Sequence, residues 1–442
     1  MKEKVKGYMF YVAFVASLGG FLFGFDTVVV SGAEKGIQQF YGLSGWVHGF
    51  TMAVALFGTI VGALVCGKPA EKYGRLESLK VVAYLYFLSA VGCAVVLNWW
   101  TLVFFRFMGG LAVGASSVVG PMYIAEIAPS NWRGRFVAFF QFNIVFGLVS
   151  AYISNWYIST LGVENDWRWM LGVLALPSIL FAALLFTIPE SPRWLVKTGA
   201  EKRAAEVLDK IGDTDVSQSL ADIKTSLADT VASEPLFQKK YWKPIAIAFF
   251  VATFNQLSGI NAINYYAPRI LESAGVFRES ALLQSILIGM TNLVFTMLGM
   301  LLIDKFGRKN LLYVGSVFMT VALLSVAAGF QYKGLGGYFM LGSLMLFIGA
   351  FALSLGAVIW VLISEVFPTS VRAKGQVLGS MTHWFWCALL TWAFPMLVES
   401  GLSTYTFGFF ALMAALTFVF ALKLPITKDK SLEEIQRELT GQ

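Results

Sequence analysis

Uncharged apolar runs follow one another along almost the whole chain, and they limit what it can fold into more than any other feature. The stretches 81–100, 171–188, 311–331 and 337–364 hold no Lys, Arg, Asp or Glu. A helix needs roughly 20 such residues to cross the hydrocarbon of a bilayer. Backbone groups in lipid must bond within their own segment, which helices do. The runs are continuous rather than alternating, so a barrel of strands is disfavoured. Of the 442 residues only 13% are charged, about half of what a soluble domain carries.

About twelve spans can be read. The first set falls near 8–30, 46–67, 78–97, 100–122, 136–159 and 169–188. The second falls near 244–272, 280–303, 310–330, 337–364, 375–398 and 403–424. The apolar run by the N-terminus has no cleavage pattern and continues into a full span, so it counts as the first helix. Between the sets, 189–243 is polar. Within it 200–211 and 220–231 have helical apolar spacing, with Leu220, Ile223 and Leu227 on one face. In the tail, Leu432, Ile435 and Leu439 share a helical face. The expected organisation is a six-helix half over 1–188, a linker over 189–243, a second half over 244–424 and a tail over 425–442.

Loop charge gives the expected orientation. Alternate loops hold Lys68, Lys72, Arg75 and Lys80, then Arg133 and Arg135, then nine basic residues in 189–243, then Lys305, Arg308 and Lys309, then Arg372 and Lys374. The loops between them are poorer in positive charge. Basic loops stay cytoplasmic, which puts both termini and the linker inside the cell. This bias also accounts for the net charge of +7 without nucleic acid as a partner. Cys66, Cys93 and Cys387 lie far apart and in or beside apolar runs. They support neither a disulfide framework nor a metal site.

An internal repeat runs through these loops. Glu71-Lys-Tyr-Gly74-Arg75 follows the second span and Asp304-Lys-Phe-Gly307-Arg308 the eighth. Glu126 precedes Arg133 by seven residues after the fourth span, as Glu365 precedes Arg372 after the tenth. Two six-span halves in the same orientation are a transporter architecture with the site between the halves.

Taken together, these residues resemble the sugar-porter branch of the major facilitator superfamily, which holds bacterial proton-coupled xylose and galactose permeases and animal facilitative glucose transporters. The matching motifs are Gly24-Phe-Asp26-Thr, Gly74-Arg75, Tyr123-Ile-Ala-Glu126 with Arg133-Gly-Arg135, and Pro189-Glu-Ser-Pro-Arg193. In the second half they are Gln256-Leu-Ser-Gly-Ile-Asn261, Tyr265-Tyr266-Ala-Pro268, Gly307-Arg308 and Glu365-Val-Phe-Pro368. The chain departs from the family at Glu71 for Asp, Leu76 for Arg, Asn255 in a Gln-Gln pair, His383 for an amide, and Pro425-Ile-Thr-Lys428 without its acid.

Asp26 and Arg106 are the charges deepest in apolar sequence. An intramembrane charge is expensive and seeks an interior partner. A carboxyl whose neighbour moves during a cycle changes its proton affinity. The other reading is a static ion pair pinning two helices. The resemblance puts Asp26 at the proton-carrying position. It also puts Leu174 where the xylose permease has a further acid, so a second titrating site is not supported. Gln141, Asn255, Gln256, Asn261 and Asn292 lie within spans. Their amides suit alternating sugar hydroxyls, or serve as interhelical glue. The resemblance places each of them at a sugar contact. Trp360 can stack on an apolar sugar face or simply pack. His383 is either a ligand or a satisfied structural residue, and His48 is read as structural. Tyr265 and Tyr266 are read as a gate or as core. The sets Glu71/Arg75, Glu126/Arg133, Asp304/Arg308 and Glu365/Arg372 are read as breakable salt bridges rather than as a solvated surface. Gly19, Gly20, Gly109, Gly110 and Gly114 are expected to allow close helix packing.

The expectation is a secondary transporter taking up a monosaccharide by alternating access with a proton. The alternatives are a proton-independent facilitator and a non-transporting sugar sensor. The expected partners are a monosaccharide, a proton and the bilayer. A monomer is expected, with no cofactor and no metal. An enzyme is disfavoured, because no nucleophile–base pair, metal cluster or phosphate loop is apparent.

Overall fold

The computed structural model describes residues 2–129, 132–213, 215–228, 234–368, 370–425, 434 and 439, and among them it is all-α. Before the linker come α1 (Lys2–Tyr41), α2 (Gly45–Val65), the short α3 (Gly67–Tyr73), α4 (Arg75–Val95), α5 (Trp99–Ile127), α6 (Arg133–Thr160), α7 (Asp166–Gly172) and α8 (Ala175–Leu185). The linker carries α9 (Pro192–Lys197), α10 (Glu201–Ile211) and α11 (Val216–Ala228). After it come α12 (Trp242–Leu257), α13 (Ile260–Ser273), α14 (Arg278–Phe306), α15 (Arg308–Gln331), α16 (Gly336–Leu353), α17 (Leu355–Val366), α18 (Arg372–Glu399) and α19 (Ser403–Lys423). Twelve segments are long and apolar enough to cross a membrane, six on each side of the linker. The side from which α1 starts is called the near side below, and the other the far side.

The described residues divide into two compact units. One comprises Met1–Val29, Val54–Ser154 and Glu164–Thr230, and the other Val30–Ala53, Asn155–Val163 and Val231–Gln442. The far end of α1, the start of α2 and the end of α6 thus pack within the second unit.

The first, seventh and tenth spans differ most from their expected form. The first span does not stop near residue 30: α1 runs unbroken to Tyr41, because the polar residues beyond 30 find partners described below. The seventh span is split into α12 and α13 at Ser258 and Gly259, where Gly259 has a φ of 87°. The tenth is split into α16 and α17 at Ser354 (φ −116°, ψ −98°). Broken backbone at membrane depth is tolerated only inside protein or along a cavity.

The linker helices form because their apolar faces share a small core of Leu195, Val196 and Ala204, against which Val207, Leu220, Ile223 and Leu227 pack. Ser191 caps α9 by accepting from the Trp194 N–H at 3.2 Å, and Pro192 fills the first helical position. α11 begins four residues before its apolar periodicity, because Asp215 accepts the Gln218 N–H at 3.0 Å and caps the helix there. The tail face of Leu432, Ile435 and Leu439 lies outside the described residues except for Leu439.

Close packing in the first unit depends on the absence of side chains where α2 crosses α5. A Cβ on Gly110 would lie 1.9 Å from the Ala55 carbonyl oxygen, and one on Gly114 2.1 Å from that of Thr59. From the other side, Gly58 and Gly62 would meet the Phe107 and Leu111 carbonyls at 2.2 and 2.3 Å. The neighbour in each case is backbone and cannot swing away. Overpacking in a close-packed interior costs about 1–3 kcal/mol where the surroundings can adjust. Gly110→Val is therefore expected to lower the thermal unfolding midpoint in detergent and the yield of monodisperse protein. An unchanged midpoint would contradict this crossing.

Candidate functional site

Asp26 on α1 and Arg106 on α5 meet inside the first unit. The Arg106 Nη1 donates to Asp26 Oδ1 at 3.2 Å, and the side chains are 2% and 5% exposed for Arg106 and Asp26. Burying either charge alone would be prohibitive, and the pairing offsets much of that cost. Gly109 lies beside the pair: a Cβ there would collide with Ser89 Oγ at 2.5 Å and make ordinary contact with Asp26 Oδ1 at 3.8 Å. The two deepest charges of the sequence are thus partners.

The second unit gathers an uncharged polar cluster around the two broken spans. Gln256, in the last turn of α12, donates its Nε2 to Asn255 Oδ1 at 3.0 Å and lies 3.1 Å from the His383 ring nitrogens. Asn261, just past the break, donates to Gln256 Oε1 at 2.8 Å and to Cys387 Sγ at 3.1 Å. Asn255 donates to the carbonyl of Leu355, immediately beyond the break at Ser354, at 3.3 Å. Trp360 brings its ring to 5.0 Å from that of His383 and is 42% exposed, while Asn255 and Gln256 are buried. His383 therefore belongs with the amides. Cys387 and Leu355 join it without any signal in the sequence, since a thiol and a main-chain carbonyl carry no polar pattern of their own.

Asn292 accepts from Thr296 at 3.1 Å within α14. Gln141 is half-buried on α6 in the first unit. Tyr265 and Tyr266 are buried. Tyr266 departs from helical geometry (φ −125°, ψ 20°) two residues before Pro268. It donates its hydroxyl to the Thr391 carbonyl at 3.0 Å and stacks on Phe394.

Of the near-side sets read in the sequence, Asp304 and Arg308 do pair, while Arg75 takes Glu126 and Arg308 also takes Glu365. Arg75 does not bind Glu71. Its Nη2 and Nε grip both oxygens of Glu126 at 2.8 Å, and Ser191 adds a donor to Glu126 at 2.5 Å. Glu71 is exposed and lies 3.6 Å from Lys197. The second half repeats the arrangement: Arg308 binds Glu365 at 2.7 Å and Asp304 at 3.1 Å. Arg372 donates instead to the Phe367 carbonyl at 3.2 Å, and the Arg133 side chain lies outside the described residues. The physical reason is backbone geometry. Gly74 (φ 104°) and Gly307 (φ 79°) both sit in the left-handed region and turn the following Arg back toward the acid that ends the next span but one. Glu190 buttresses the first turn by accepting the N–H groups of Arg75 and Leu76 at 3.1 and 3.0 Å. Burial raises its pKa.

Sequence reasoning missed one charged group altogether. Glu34, within α1, is 2% exposed and contacts His48 and Arg269. Asp26 is therefore not the only acid buried in a span. A first span ending near 30 puts Glu34 in a loop.

A twelve-span protein with a buried ion pair, an amide cluster at broken helices and the same near-side charge clasp in each half has the make-up of a major facilitator transporter. The comparisons agree. Residues 12–439 match the family model described as "Sugar (and other) transporter". The chain is 36% identical to the D-xylose-proton symporter of Escherichia coli (strain K12), over 97% of this chain and 95% of that protein. It is 34% identical to the arabinose-proton symporter of Bacillus subtilis (strain 168), over 98% and 95%. Its fold matches the inward open conformation of the xylose transporter XylE from E. coli with a TM-score of 0.88 at 35% identity, covering 97% of this chain and 99% of that one. The chain belongs to the sugar (and other) transporter family and is a multi-pass protein of the inner membrane.

Arg75→Leu strands a half-buried Glu126, and breaking a buried pair costs about 3–5 kcal/mol. The single variant is expected to lose thermal stability that the double variant Arg75→Leu/Glu126→Leu largely regains. Equal losses in both, by thermal melts at matched pH, would mean that the stranded Glu126 carries no penalty.

Proposed function

We propose that the protein takes up a monosaccharide together with a proton by alternating access, working as a monomer. The observation that carries this reading is the Asp26–Arg106 pair, a titratable carboxyl buried against a guanidinium at 3.2 Å. The relatives named as proton symporters of pentoses support it. In this reading the two termini and the 189–243 linker face the cytoplasm, and residues 1–188 and 244–424 are the moving halves. Asn255, Gln256, Asn261 and His383 bind sugar hydroxyls, Trp360 covers an apolar face of the ring, and Gln141 and Asn292 complete the contacts. Tyr265 and Tyr266 gate the far side. Arg75 with Glu126, Arg308 with Glu365 and Asp304, and the neighbouring Glu71, Arg133 and Arg372, hold the near side when it closes. Exposed pairs contribute about 0–1 kcal/mol each, so the two half-buried clasps dominate.

The electrical term alone is sizeable. One proton crossing 100 mV gains roughly 2.3 kcal/mol, and about 1.4 kcal/mol corresponds to tenfold, so the gradient sustains approximately 50-fold accumulation of a neutral sugar. Asp26→Asn keeps the shape and removes the titration. Binding and downhill exchange should persist in liposomes while accumulation driven by a proton gradient disappears. A mutant that still concentrates sugar rules Asp26 out as carrier. A wild type that never concentrates sugar is a facilitator with a structural ion pair.

Removing one partner of a buried hydrogen bond costs about 1–3 kcal/mol, on the order of ten- to hundredfold in affinity. Gln256→Ala is expected to weaken sugar binding by that factor. Gln331→Ala, which removes an exposed amide at the end of α15, should leave it unchanged. Equal affinities, read by calorimetry with a sugar panel, would make the amide cluster helix glue.

A further inference from the structure

The buried acid missed in the sequence sits in a charge network at the far-side ends of α1, α2, α13 and α18, all within the second unit. His48 Nε2 lies 2.7 Å from Glu34 Oε2, with His48 fully buried. Arg269 Nη1 donates to Glu34 at 3.0 Å and to Gln38 Oε1 at 3.2 Å. Arg269 Nη2 donates to Glu399 at 3.3 Å, and Gln38 Nε2 donates to the same Glu399 oxygen at 2.6 Å. Lys35 pairs with Glu272 at the edge. The Tyr266 ring also faces this region, its hydroxyl held by Thr391.

Charge counting singles out the imidazole. The network holds three carboxylates (Glu34, Glu272 and Glu399) and two fixed cations (Lys35 and Arg269). With a neutral His48 it is one positive charge short, and with an imidazolium it balances. His48 Nδ1 is buried with no hydrogen-bond partner among the described residues. The neutral ring therefore donates Nε2–H to Glu34 and keeps its lone pair at Nδ1, where a proton can be received. The restored balance acts against the cost of burying that N–H.

We propose that Glu34 and His48 form a second proton-binding site, separate from Asp26, and that the bound proton holds the far-side ends of α1 and α2 closed against α13 and α18. The geometry supplies the link: Glu34 joins α1 to α2 through His48 and to α13 through Arg269. Opening the far side must part Glu34 from Arg269 and admit water to the ring. Because the imidazolium balances the network only in the arrangement that brings these groups together, acid on that side favours closure by linkage. The meaning of that closure for a transport cycle rests on the proposed symport. The site itself does not.

The chain has only two histidines, His48 and His383, so the test can read one ring directly. Full-length protein carrying ring-labelled [15N]histidine is placed in liposomes without sugar, and His48→Gln assigns the signals. The His48 ring signals, followed from about pH 8 to about pH 5, are expected to show the ring taking up a proton. Glu34→Gln should move that midpoint by about one pH unit or more, as loss of an adjacent charge does. A His48 signal unchanged over this range overturns the site. For closure, Ile37→Cys places a thiol at a buried position on the same turn of α1. Its rate of labelling by an impermeant thiol reagent from the far side is followed against pH in the wild-type and His48→Gln backgrounds, so that the thiol's own titration cancels. Acid should slow labelling several-fold more in the wild type. Equal pH slopes overturn the closing role. Neither measurement uses sugar or accumulation, so a failure of proton-driven uptake would count against the symport reading alone.

Discussion

A charge removed from water and surrounded by hydrocarbon must find a partner, and in this chain that requirement arranges the ends and the middle of the bundle alike. Asp26 is answered by Arg106, Glu126 by Arg75, Glu365 by Arg308, and Glu34 by His48 and Arg269. Each pair joins different helices. The strength of each pairing depends on its exclusion from water, so a pair that water reaches loses most of its value. That is the property a carrier with two alternately open sides can use: wetting one side weakens the contacts that closed it.

The polar cluster of the second unit follows a different rule. Its members are neutral, and they satisfy one another: Asn255 with the Leu355 carbonyl, Gln256 with His383, and Asn261 with Gln256. In the proposed role, a sugar bound there would exchange these bonds for its own hydroxyls rather than fill empty valences. Both broken spans contribute to this cluster, since Ser258–Gly259 and Ser354 interrupt regular bonding where the amides gather.

Much of the fold was legible because lipid leaves so few choices. Twelve apolar runs could only be helices, and the repeated Gly-Arg after spans two and eight exposed the duplication. Pairing was less legible. Glu71 and Arg75 look like natural partners four residues apart, yet the positive φ of Gly74 breaks the helix between them and aims Arg75 at Glu126. A run of letters does not display such a turn. The reach of α1 was hidden for a similar reason: Gly32, Glu34, Lys35 and Gln38 read as a polar loop, and only their distant partners Arg269, Glu272 and Glu399 make that stretch a buried helix. The candidate sugar site was read as isolated amides, while the role of His383 depended on a neighbour 127 positions away.

The seam between α2 and α5 has a consequence for how this sequence can change. Gly58, Gly62, Gly110 and Gly114 bring carbonyl oxygens to distances at which no Cβ fits. Every coding change at a glycine adds at least a methyl group, so these four positions have no conservative neighbour in the genetic code. Lipid-facing positions such as Leu88, Val91 and Val95 are free to exchange one aliphatic residue for another. Drift should therefore be rapid on the outer surface of α4 and nearly frozen along this crossing.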